Sequence, residues 1–223
     1  MNPFTPSTSR TAASRRLLLP AAQLVATLLI LAFPIGNVLK LGAFAVVWGV
    51  TFRRLSSREW LCFLGVCTLF SIMDILSVRQ GVFRFSRADV AGLPIWEFSM
   101  WGFLVLHILR ALNGPVPVRN LRLVLPLAAL FALPFATLSD HPTLLISSGI
   151  VLTIALFFYH EQWDIRYVAY AVLLGAAFEY VGVWSGQWEY PSHPTGGVAF
   201  WFVSMWGGIG LFVRRLVVPL VRG

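Results

Sequence analysis

The chain has 223 residues, 58% of them hydrophobic and 12% charged, with a mean hydropathy of +0.78. Soluble domains carry about 25% charged residues, so this composition excludes an ordinary water-soluble fold. The formal net charge of +8 does not point to nucleic acid. The arginines flank the ends of apolar runs, and no basic patch interleaved with aromatics lies in a polar domain.

Crossing about 30 Å of hydrocarbon takes roughly twenty apolar residues in a helix. In chain order the runs approaching that length are Leu17–Phe33, Asn37–Phe52, Trp60–Val78, Ile95–Leu109, Leu121–Leu138, Thr143–Phe158, Tyr167–Trp184 and Gly197–Val217. They predict an all-α integral membrane protein of about eight transmembrane helices. A cytoplasmic tail over residues 1–16 precedes one four-helix unit over 17–112 and a second over 119–218. Ser14-Arg15-Arg16-Leu17 is similar to a twin-arginine signal. No small-residue cleavage site follows Ala32-Phe33-Pro34, so the arginines read as the basic flank of a first span. Arg53, Arg54, Arg58, Arg110, Arg119, Arg122, Arg166, Arg214, Arg215 and Arg222 fall on the side of that flank, whereas Lys40, Arg79, Arg84 and Arg87 fall on the other. The positive-inside rule then puts both termini in the cytoplasm, with a bacterial inner membrane as the expected location. Cys62 and Cys67 share one apolar run and read as small packed hydrophobes.

Two phrases interrupt the apolar pattern, Gly81-Val-Phe83-Arg-Phe85 through Trp101-Gly102 and Gly186-Gln-Trp188-Glu-Tyr190 through Trp206-Gly207. They align without gaps at an offset of 105, pairing Phe83 with Trp188, Phe85 with Tyr190, Trp96 with Trp201, Trp101 with Trp206 and Arg110 with Arg215. At the same offset Asp74 meets Glu179, and with a shift of one Arg16-Leu-Leu-Leu-Pro20 meets Arg122-Leu-Val-Leu-Pro126. Units with an even number of spans run the same way through a bilayer, so the pattern predicts two parallel repeats around a pseudo-twofold axis. An interfacial tryptophan belt explains indoles near loops but not their one-for-one repetition, which favours a shared surface.

Asp74, Glu97 and Glu179 lie within or at the ends of the apolar runs. A carboxylate at that depth is costly and normally faces the bundle interior. The alternatives are hydrogen bonding to other helices, or pairing with Arg79 and Arg84 at the rim. A protonated acid in a dry pocket is a strong proton donor, and aromatic faces stabilise a developing cation. Acids walled by Phe83, Phe85, Trp96, Trp101, Trp188, Tyr190, Trp201 and Trp206 therefore suit the protonation of an alkene in an isoprenoid.

Asp74, Gly81-Val-Phe83-Arg-Phe85 and Gly92-Leu-Pro94-Ile-Trp-Glu97-Phe together resemble the small membrane lycopene cyclases of the heterodimeric bacterial and fungal type. The second copy is similar to the related carotenoid hydratases. The resemblance covers about half the chain. It implies a lipophilic polyprenoid substrate taken from the bilayer, and a cyclisation (isomerase or lyase type) or hydration begun at a terminal double bond. It also implies Asp74, Glu97 and Glu179 as acid/base residues. Trp96 stands where that family has the first Glu of an acidic pair, and Ala199 and Phe202 stand where the second copy would carry its Pro and final Glu.

His107, His141, His160 and His193 are scattered rather than clustered as a di-iron site requires, and no Asp-rich diphosphate motif or phosphate loop appears. No cofactor or metal is expected, and the oligomeric state stays open. Two further readings stand beside the enzyme. One is a small proton-coupled carrier titrating Asp74 and Glu179; the other is a non-enzymatic membrane subunit docking a partner through its aromatic face.

Overall fold

A computed structural model describes residues 8–191 and 197–223, with side chains from residue 18 onward. His193 and its neighbours over 192–196 lie outside the described residues, as do the side chains of Arg10, Arg15 and Arg16.

The described residues are all-helical apart from two short strands and their connections. In order it forms α1 (Thr8–Ala32), α2 (Asn37–Thr51), α3 (Ser57–Arg79), β1 (Arg84–Phe85), α4 (Glu97–Ala111), α5 (Leu121–Thr137), α6 (His141–Phe158), α7 (Gln162–Trp184), β2 (Trp188–Glu189) and α8 (Trp201–Phe212). From α8 it passes through a π-helical turn (Val213–Val217) into α9 (Val218–Arg222). The first helix starts at Thr8, ahead of the expected start at Leu17.

Local chemistry sets these boundaries. Glu59 Oε2 accepts the Ser56 N–H at 2.8 Å while Ser56 Oγ accepts the Glu59 N–H at 3.2 Å, a reciprocal cap at the start of α3. Asp140 caps α6 by accepting the Thr143 N–H at 2.9 Å, and the Thr143 hydroxyl and N–H hold its carboxyl below the usual range.

Of the eight expected spans, four described helices are long and apolar enough to cross a membrane: Ser57–Arg79, His141–Phe158, Gln162–Trp184 and Trp201–Arg222. Of the others, α2, α4 and α5 have 15, 15 and 17 residues, and α1, though 25 residues long, has its apolar stretch over Leu18–Ala32. Pro34 and Gly36 separate α1 from α2, leaving apolar stretches over Leu18–Ala32 and Asn37–Thr51. Fifteen residues make a helix about 22 Å long, short of the hydrocarbon thickness. The outside of the bundle is nonetheless apolar. On α3 alone, Trp60, Leu61, Leu64, Leu69 and Ile72 are half or more exposed, a surface larger than soluble monomers leave open to water.

The two halves repeat one another in detail. Helices α3 and α7 both have 23 residues and are separated by the offset of 105 at both ends. Each closes on a glycine in the left-handed region, Gly81 at φ 75° and Gly186 at φ 69°, which only glycine adopts without steric cost. At the far end of the bundle Glu59 pairs with Arg110, and the equivalent Asp164 pairs with Arg215. Strands β1 and β2 pair antiparallel, with Arg84 opposite Glu189 and Phe85 opposite Trp188. Arg84 and Glu189 are themselves equivalent positions, so the strands cross where the two halves face each other.

Candidate active site: an acid pair in an aromatic cavity

A cavity of about 230 Å³ lies between the two halves. Its position follows from glycine contacts. A Cβ on Gly175 would sit 2.1 Å from the Trp206 ring, and one on Gly182 would sit 1.9 Å from the Trp188 ring. The indoles can therefore lie flat on α7 only where it has no side chain. Gly210 does the same for backbone, since its Cβ would meet Tyr167 O at 2.4 Å, letting α8 press against α7. Overpacking of this kind costs roughly 1–3 kcal/mol, so Gly175→Ala is expected to lower the unfolding midpoint in detergent and to shift the Trp206 fluorescence.

Asp74, Glu97 and Glu179 all line this cavity, as do Phe83, Phe85, Trp96, Trp101, Trp188, Tyr190, Trp201 and Trp206. Trp101 and its repeat equivalent Trp206 meet at 5.1 Å between ring centroids, and Phe70 stacks on Trp101 at 4.4 Å. Phe85 reaches Trp96 and Trp188 edge-on, each at 5.9 Å, and Phe83 lies 5.6 Å from Phe85 and 6.3 Å from Tyr190. Trp201 packs edge-on to Tyr190 at 5.8 Å.

The acids are held in two different ways. Glu179 is 7% exposed and accepts three hydrogen bonds: from Tyr190 Oη at 2.6 Å, Trp188 Nε1 at 3.2 Å and Trp206 Nε1 at 3.4 Å. Burial, then the Glu179 carboxylate beside it, pushes the Tyr190 phenol well above its ordinary range, so the phenol keeps its proton and donates. The three donors offset part of the cost of holding a carboxylate out of water. Asp74 accepts the Trp101 Nε1–H at 2.7 Å and shares the cavity wall with Glu97. Two carboxyl groups sharing one water-poor cavity repel each other when both are ionised, so a proton is retained more easily by one of them.

Arg84, a candidate rim partner for these acids, is engaged by Glu189 instead. The symmetry of the halves breaks at Glu97. Its equivalent, Phe202, is buried against Tyr180 at 6.2 Å between rings and does not reach the cavity. Phe83 and Phe85 likewise have no polar atom where Trp188 and Tyr190 supply donors.

Sequence reasoning missed Phe70, Phe131, Phe135 and Phe178, which complete the walls. Phe131 and Phe135 are four residues apart on α5, and a Cβ on Gly208 would sit 2.1 Å from the Phe131 ring. The readable signal was that i, i+4 aromatic pair opposite a glycine-rich segment.

The fold and site define an all-helical protein with an apolar exterior and an internal, acid-bearing aromatic cavity at a pseudo-twofold seam. Comparison with protein-family models, curated proteins and solved structures finds no match to this chain.

Proposed function

We propose that the chain is an integral membrane enzyme of isoprenoid chemistry that protonates an alkene and drives cyclisation or hydration, as its resemblance to membrane lycopene cyclases and carotenoid hydratases implies. The shorter helices would complete an eight-helix bundle with both termini in the cytoplasm. The observation that carries this reading is the placing of Asp74, Glu97 and Glu179 in the wall of a largely aromatic and aliphatic cavity.

A proton from Asp74 or Glu97 passes to one alkene carbon: an O–H bond breaks, a C–H bond forms, and the neighbouring carbon becomes a carbocation. The Trp101 and Trp206 faces stabilise that cation through their quadrupoles. Glu179, in its ionised form and hydrogen-bonded by Tyr190, Trp188 and Trp206, supplies the compensating charge. In cyclisation a second double bond of the same molecule attacks the cation, and an adjacent C–H gives its proton back to the carboxylate pair. In hydration a water oxygen bonds to the cation and releases a proton to the same pair. Neither route consumes a redox equivalent.

Expression in lycopene-producing cells tests this. Extracts analysed by chromatography and mass are expected to contain a product of unchanged mass and altered retention, or one heavier by one water. An unaltered pigment profile, with the protein folded in the membrane, refutes carotenoid end-group chemistry.

A further inference from the structure

The cavity is small for a long hydrocarbon. An apolar cavity of roughly 150 Å³ holds a six-carbon ring, so 230 Å³ holds a group of about nine or ten carbons by the same scaling. The cavity is also lopsided. Among the described residues, α3 lines it from Val66 to Ser77 and α5 from Ala128 to Phe135, whereas α7 meets it only at Phe178 and Glu179 and α1 only at Leu31.

At one end α3 and α5 are tied together, since Ser77 Oγ donates to Phe135 O at 3.3 Å and Gln80 Nε2 to Ala136 O at 2.7 Å. Farther along, the lining residues become short or open to the outside. Ala128 and Ala132 are partly exposed, and Leu69 is 53% exposed while still lining the cavity. A Cβ on the neighbouring Gly65 would meet nothing within 4 Å.

The pseudo-symmetric cleft, between α7 and α1, is closed. Tyr170 stands at the position equivalent to Gly65, and its hydroxyl lies 2.6 Å from His107 Nε2; His107 Nδ1 lies 2.5 Å from Gln23 Oε1 on α1. Where α1 carries Gln23, α5 carries Ala128-Ala129. One of two equivalent clefts is thus stitched by a buried polar chain; in the other, Phe212 at the position of His107 packs on Phe131 at 5.5 Å, and beyond the tied end the partly exposed Leu69, Ala128 and Ala132 also line the cavity.

We infer that the ligand is an elongated apolar chain of which only one end occupies the cavity, and that its remaining length leaves between α3 and α5 into the lipid. This rests on the polyprenoid reading above and adds to it which part of the molecule is enclosed and where the rest lies. Each end of a two-ended substrate would then be handled in a separate binding event.

The test uses the full chain in lipid nanodiscs and a linear polyprenoid hydrocarbon several times longer than the cavity, carrying a diazirine on the terminal isoprene unit or at mid-chain. After irradiation, adducts are located by mass spectrometry. The terminal tag is expected to label Trp101, Trp206 or Phe70, and moving the tag to mid-chain is expected to shift adducts to Leu69, Ala128 and Ala132. Mid-chain adducts deep in the cavity, or between α7 and α1, overturn the portal while leaving the polyprenoid reading intact. Absence of cavity adducts from either probe, with the lipid-accessible Leu173 labelled as a control, overturns the polyprenoid reading itself.

Discussion

Glu97→Gln and Asp74→Asn are each expected to lower turnover by about 10²–10⁴-fold, the range a positioned general acid contributes, with little change in unfolding midpoint. The amides preserve shape, but neither variant retains both carboxyl groups facing the cavity. Glu179→Gln should behave differently. Its oxygens accept from Tyr190, Trp188 and Trp206, and an amide would turn one acceptor into a donor facing donors. Leaving such groups unsatisfied costs about 1–3 kcal/mol, so this variant should lose stability as well as turnover. Product formation and unfolding in detergent, measured on all three variants, check the division. Equal losses of turnover and stability in all three would refute separate roles for the acid pair and the anion.

The second large effect concerns the opposite end of the bundle. Asp164 is fully buried and Arg215 is 6% exposed. Arg215 Nε donates to Asp164 Oδ1 at 2.8 Å, Nη2 donates to Oδ2, and the guanidinium stands 4.5 Å over the Tyr159 ring. Removing one partner of a buried pair costs roughly 3–5 kcal/mol when the other charge is left uncompensated; here Glu161, half exposed and 3.1 Å from Arg215, keeps part of that compensation, so the loss falls toward the lower end. Asp164→Ala is therefore expected to unfold at markedly milder conditions. Glu59→Ala breaks the equivalent pair, but the Arg110 side chain there is 42% exposed and its charge can turn to water. Its loss should be clearly smaller. Denaturation of the two variants in the same detergent decides the order, and equal destabilisation would refute the burial argument.

Much of this was readable before any coordinates. The offset of 105 located equivalent positions because both copies use the same rigid turn chemistry at Gly81 and Gly186, and the acids stood out because charge is rare in apolar runs. The span count was harder to read, since α2 and α5 are apolar yet only 15 and 17 residues long, and hydropathy alone does not register where a helix stops. The phenylalanine walls were invisible for the opposite reason, as one apolar residue among many carries no mark of which neighbour it faces. Nor could spacing reveal that Glu97, at the first turn of α4, lines the same cavity as Asp74 of α3. That placement depends on how the connection through β1 folds over.

The two-residue strands act as an index between the halves. Arg84 and Glu189 are 68% and 51% exposed at their side chains, so their ion pair adds little strength. Their value lies in alignment. Side chains alternate across a strand, and a slip of one residue turns every one to the opposite face. Such a slip would swing Phe85 and Trp188 out of the cavity together, one from each half. Mis-set by one tooth, the seam would lose both walls at once, so a weak joint holds the two halves in phase.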